Sequence, residues 1–289
     1  MSAKSLVKPF IFSLVILPAI FAATMNLKGA AGNAVTLTLF AMTVLVEVFA
    51  LAQFVRARRA FAAGDPGYVT WTLIVVFMAV RLVAEARLLT LSFNLLPEYH
   101  EGAASALFFY IVVLRYLYTA SDLLFVGALL TTIRSYKSTR LPFKLLPVDY
   151  FYVLALCALP VVTFIFRGNL IRAAIANPDG YMMIYRLVAV SVGAVIASLC
   201  IVVRRYASQM GGGAVARVWN LVVVAGVARG GSFLALALLS GWSKPAATFV
   251  EQYLLWAFAC CWLMAALYQS AIFAHTTEPT EVALAESVA

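Results

Sequence analysis

The stretch Trp71-Thr-Leu-Ile-Val-Val-Phe-Met-Ala-Val-Arg81-Leu-Val-Ala-Glu85 reads as bilayer hydrocarbon as far as Val80, then breaks that pattern with two charges. Its companion, Arg115-Tyr-Leu-Tyr-Thr-Ala-Ser-Asp122, does the same beyond the short acidic loop Asn94-Leu-Leu-Pro-Glu-Tyr-His-Glu101. A charged side chain at the centre of a membrane helix costs about 2.5–3.5 kcal/mol. Four such charges in two neighbouring segments must therefore pair with each other or line water.

Composition sets the frame for that reading. The chain has 289 residues, 64% hydrophobic and 11% charged, with a mean hydropathy of +0.98. Soluble domains carry about 25% charge, so most of this chain lies in a bilayer. Membrane lipids are its immediate partners. The net charge of +9 does not point to nucleic acid, because the basic residues cluster at segment ends. Cys157, Cys200, Cys260 and Cys261 all fall in apolar segments and read as small buried hydrophobes.

Eight apolar stretches reach spanning length, about 20 residues. They are Pro9–Leu27, Ala34–Val55, Val69–Thr90, Ser105–Ile133, Asp149–Phe166, Met182–Val203, Ala214–Ser240 and Val250–Ala274. The expected fold is all-α: a polytopic transmembrane helical bundle of eight spans in one domain, residues 1–274. A polar, acidic cytoplasmic tail, residues 275–289, is expected to be disordered. Lys4, Lys8, Arg56, Arg58, Arg59, Arg134, Lys137, Arg140, Lys144, Arg204, Arg205 and Arg217 fall on one face, against Lys28, Arg167, Arg172 and Lys244 on the other. The positive-inside rule then puts both termini in the cytoplasm.

The first stretch has a second reading. Lys4 and Lys8 before Phe10–Phe21 resemble a signal peptide, although only Ala19-Ile-Phe-Ala-Ala23 offers anything like a cleavage site. Retained, it is an anchor helix; removed, it leaves a seven-helix core of receptor-like topology. Pro18 and Pro160 should kink their helices, Gly211-Gly-Gly213 should form a flexible turn, and Gly226-x-x-x-Gly230 should be a face for close helix packing.

Arg81 and Glu85 share a helix face, as do Arg115, Thr119 and Asp122. With the third and fourth stretches antiparallel, Arg81 and Asp122 lie level, roughly 18 Å from the inner end, and Glu85 and Arg115 lie near a higher level. The arithmetic predicts two crossed pairs, Arg81 with Asp122 and Glu85 with Arg115. Glu47 and Arg229 complete the set, and three acids with three bases sum to zero. Arg229, at roughly 22 Å, has no acid reserved for it unless Glu47 reaches up from roughly 14 Å. The network admits two readings: a neutral scaffold that fixes helix order, or a polar cavity that binds or conducts something. Tyr118, one turn from Arg115 and Asp122, lines the cavity on the second reading. Arg87, Arg186 and Glu251 lie nearer helix ends and can snorkel.

Several chemistries have no residues to carry them. His100 and His275 are the only histidines, no HExxH or phosphate-binding glycine loop occurs, and the last stretch has no lysine for a retinal Schiff base. No cofactor or metal is expected. No catalytic motif is present; Glu47, Glu85 and Asp122 each have an arginine available to hold them ionised.

Thr119-Ala-Ser-Asp122-Leu-Leu-Phe, with Arg229 early in one segment and Glu251 at the next, resembles fungal multi-span proteins of the lipid-translocating exporter type. Those proteins have a mid-span Asp and a similar Arg…Glu pairing. The resemblance covers about half the chain and implies handling of lipids or amphipathic toxins.

Three functions follow as expectations. The first is binding or translocation of an amphipathic, anionic small molecule or lipid, with Glu47, Arg81, Glu85, Arg115, Tyr118, Asp122 and Arg229 as the polar end of the pocket. The second is a seven-helix sensor whose basic loops meet a cytoplasmic protein partner. The third is a structural or accessory membrane subunit.

Overall fold

The computed structural model describes residues 30–95, 104–138, 143–175, 180–209, 213–239 and 244–277, together with Lys8, Phe12, Ser13, Ile16 and Ile20. The described residues hold no strand. Seven helices follow in order: α1 (Ala30–Arg59), α2 (Pro66–Leu95), α3 (Ala104–Ser138), α4 (Pro147–Ile175), α5 (Gly180–Gln209), α6 (Gly213–Leu239) and α7 (Lys244–Thr277). The five isolated residues near the amino end are also helical. Each of the last seven expected stretches falls on one helix. The helices run from 27 to 35 residues, all but α6 longer than the expected stretches, because hydropathy marks the hydrocarbon and not the ends that project beyond it. The last helix continues to Thr277, past the expected boundary at 274. The loop at 96–103, Pro18, the first two glycines of the 211–213 turn and the tail beyond 277 lie outside the described residues.

Local chemistry sets where helices start. Pro66 and Pro147 occupy first helical positions, where a missing N–H costs nothing. Before α2, the Asp65 carboxylate accepts a hydrogen bond from the Ala62 N–H at 2.7 Å. Before α4, the Asp149 carboxylate reaches back to the Leu146 N–H at 2.9 Å, and Arg205 of α5 donates to it from Nε at 2.5 Å and Nη2 at 2.9 Å. That fork ties α4 to α5. Gly213 opens α6 with φ of 72°, a conformation that other residues rarely adopt.

Helix α1 packs on α2 and α7, α2 on α3, α3 on α5, α5 on α6, and α6 on α7, closing a ring of six helices. Helix α4 packs chiefly on α5. Trp262 of α7 fills the interior, with Phe54 of α1, Phe77 of α2 and Phe125 of α3 at ring distances of 5.3, 5.5 and 5.1 Å. The α2–α3 register is fixed by side chains. Thr70 bonds Thr131 and Thr132, and Phe77 stacks on Phe125 at 5.0 Å.

The distribution of polarity is inverted relative to a soluble protein. Leu154, Ile165, Phe151 and Phe49 are exposed, while Glu47, Arg81, Glu85, Asp122 and Arg229 are buried. Leu37–Arg59, Val113–Ser138, Leu187–Gln209 and Phe249–Ile272 are long and apolar enough to cross a membrane. The chain is an all-helical, multi-pass integral membrane protein.

Candidate intramembrane charge site

Arg81 is the centre of the site. It is fully buried, and its long side chain leaves α2 toward α1, where Nε lies 3.2 Å from both oxygens of Glu47. Its Nη2 lies 2.5 Å from Oε1 of Glu85, one turn on along the same helix. The guanidinium also sits over the Phe258 ring of α7, 4.3 Å from its centroid. Both acids and the arginine are thus out of water, at 3% side-chain exposure or less. One cation serves two carboxylates.

The second pair joins α3 to α6. Arg229 Nη2 lies 3.7 Å from Oδ2 of Asp122, and both side chains are at most 7% exposed. Tyr118 bridges the two arginines, with its ring 5.7 Å from the Arg81 guanidinium and 5.5 Å from that of Arg229. Arg115, half-buried, stacks over Tyr185 of α5 at 4.7 Å.

This arrangement corrects the crossed pairs. Arg81 takes Glu47 and Glu85 rather than Asp122, Glu85 bonds Arg81 rather than Arg115, and Asp122 pairs with Arg229. The expected level of Arg81 with Asp122 was nearly right, since the Thr70–Thr131 and Phe77–Phe125 contacts carry Arg81 to the level of Ser121. What depth does not contain is rotation about the helix axis. Arg81 turns toward α1 and Asp122 toward α6. Two further expectations fall with the pairs: Arg229 does have an acid, and Glu47 and Glu85 do not have an arginine each.

Arg229 reaches Asp122 because α6 lies close to α5. An added Cβ on Gly193 of α5 would meet the Gly230 Cα at 2.9 Å, and one on Gly226 would meet Cys200 Sγ and Ile196 at 3.2 and 3.3 Å. The small-residue face read at Gly226 and Gly230 is a helix contact. Gly193 is its unread partner, because a lone glycine in an apolar run carries no signal. Phe258 and Tyr185, which cover two of the arginines, are equally silent in sequence.

Among the described residues, no cluster of three or more His, Cys, Asp or Glu forms a candidate metal site. Comparison with family models, curated proteins and solved structures finds no match to this chain.

Proposed function

We propose that this membrane protein binds, and moves or senses, an amphipathic small molecule or lipid whose polar head enters between Asp122 and Arg229 beneath Tyr118. The observation that carries this reading is the contrast between the two arginines. Arg81 is held by a carboxylate at 2.5 Å, whereas Asp122 stands 3.7 Å from Arg229. A closed charge-assisted bond is about 2.7–2.9 Å, so the Asp122–Arg229 pair is the looser of the two and the easier one for a polar head to part. Because an acid already faces Arg229, the head that fits is one offering an acceptor to the guanidinium and a donor to the carboxylate. A zwitterionic head that carries an ammonium N–H meets that requirement better than a simple anion. The resemblance to lipid-translocating exporters points to the same class.

Lysophosphatidylethanolamine, oleate and an uncharged alkyl glycoside serve as probes of head group at matched chain length, added to the purified protein in nanodiscs. Ligand binding raises stability by RT ln(1 + [L]/Kd). The zwitterionic probe should raise the melting temperature most in wild type. Arg229→Lys keeps the charge and loses the fork, so it should reduce the shift, and Arg229→Gln and Asp122→Asn should abolish it. Equal shifts in all four proteins would reject the site and favour a purely architectural network.

A further inference from the structure

The end of the bundle that carries the basic loops holds a cluster of four aromatic rings. Trp219 of α6 donates from Nε1 to the Tyr136 hydroxyl of α3 at 2.9 Å. Tyr136 packs on Tyr206 of α5 with ring centroids 5.9 Å apart, and Phe143 stacks on Tyr206 at 4.1 Å. Gln209 Nε2 donates to the Lys144 carbonyl at 3.4 Å, which ties the segment before α4 to the last turn of α5. Each ring has an exposed basic neighbour in sequence: Lys137 next to Tyr136, Lys144 next to Phe143, Arg204 just before Tyr206 and Arg217 just before Trp219. The positive-inside rule accounts for bases at this end, but not for their convergence on one aromatic cluster. Nearby acids do not neutralise them. Among the described residues, the acids at this end are Asp65, which accepts the Ala62 N–H in the α1–α2 turn, and Asp149, which is held by the Arg205 fork.

We propose that these converging bases, on the ends of α3, α5 and α6 and on the segment before α4, bind the head group of an anionic phospholipid. Clusters of about four to eight basic residues at the ends of membrane helices attract such lipids. The exposed face of α3 favours a lipid over a soluble anion. Leu123, Leu130 and Lys137 recur at heptad spacing and share that face, and Arg134 lies one turn from both Leu130 and Lys137. All four are exposed. The face is apolar along the helix and turns basic at its end, which matches an acyl chain lying below its phosphate. Arg134, Arg204 and Arg217 add planar forks that fit phosphate oxygens. Asp122 lies roughly 18 Å deeper along α3 than Arg134. The head-group site is therefore separate from the Asp122–Arg229 pair, and the two proposals stand or fall separately.

The test is native mass spectrometry of the full chain, released from a neutral glycoside detergent in about 0.1 M ammonium acetate. Dioctanoylphosphatidylglycerol is titrated against dioctanoylphosphatidylcholine, with glycerol phosphate as the free head. Wild type should prefer the anionic lipid by at least about tenfold, since each basic residue is worth about fivefold. Lys137→Gln, Lys144→Gln and Arg204→Gln together should weaken its binding by about a hundredfold. Arg56→Gln with Arg59→Gln removes two charges from α1, which lies across the ring from α5. Salt screens charges beyond about 10 Å, so this variant should change binding by less than about twofold. Equal retention of both lipids by wild type overturns the proposal, needs no variant to fold, and leaves the basic end to a protein partner. Unchanged affinity in the triple variant overturns it too. So does an equal loss per charge in the α1 variant, which would make the attraction diffuse. Displacement of the lipid by an equal concentration of glycerol phosphate would make this a soluble-anion site and overturn the lipid assignment.

Discussion

Gly193→Ala adds one methyl group at the crossing of α5 and α6. The new Cβ would stand 2.9 Å from the Gly230 Cα, whereas carbon atoms rest at about 3.5–4.0 Å. Since the obstructing atom is backbone, the helices must part by roughly 0.6–1 Å. Overpacking of this kind costs about 1–3 kcal/mol. Alanine returns about 1 kcal/mol of helix propensity, so the net loss is about 0–2 kcal/mol. The reciprocal change behaves differently. At Gly230 an added Cβ meets the Gly193 backbone at 3.6 Å, an ordinary contact. Gly230→Ala should therefore be neutral or stabilising by up to about 1 kcal/mol. Unfolding of both variants by sodium dodecyl sulfate in mixed micelles measures the difference directly. Gly193→Ala should be the weaker protein by about 1–3 kcal/mol. Equal stabilities, or the reverse order, would refute the crossing geometry that positions Arg229.

Asp149→Asn removes charge from a carboxylate that serves both the start of α4 and the Arg205 fork. It should lower stability by about 1–2 kcal/mol in the same unfolding assay, and Arg205→Lys should lose part of that; no change in either would mean α4 is held by apolar contacts alone. A cytoplasm-active reporter should give signal when fused after Arg59, Lys144 or the carboxyl terminus, and none after Pro97 or Asn177. The opposite pattern would reverse the orientation read from the basic loops.

The helices were legible because the bilayer imposes one strong rule, roughly 20 apolar residues per crossing. Seven helices lie where the apolar stretches were read, four of them long and apolar enough to cross a membrane, and the small-residue face at Gly226 and Gly230 marked a true contact. The relative level of α2 and α3 was legible too, since rise per residue is fixed. That is why Arg81 and Asp122 were placed nearly level. Their partners were not legible, because pairing depends on which way each helix is turned and on arginine side chains long enough to reach a neighbour off that level. Glu47 was placed a few ångströms below Arg81 by the same arithmetic, within the span of the two side chains, yet nothing in the sequence preferred it to Asp122. The aromatic rings of Phe258 and Tyr185 over Arg81 and Arg115 lie in apolar runs that look like any other.

The pairing of the buried charges is most directly tested by two double-mutant cycles on Arg81, one with Glu47 and one with Asp122. Arg81→Met, Glu47→Gln and Asp122→Asn remove charge while keeping bulk. Residues in direct contact couple by about 0.5–3 kcal/mol, and independent ones add to within about 0.5 kcal/mol. Arg81 and Glu47, 3.2 Å apart, should couple strongly, while Arg81 and Asp122, which form no direct ion pair, should couple more weakly. Strong coupling of Arg81 to Asp122, with additivity at Glu47, would contradict the site.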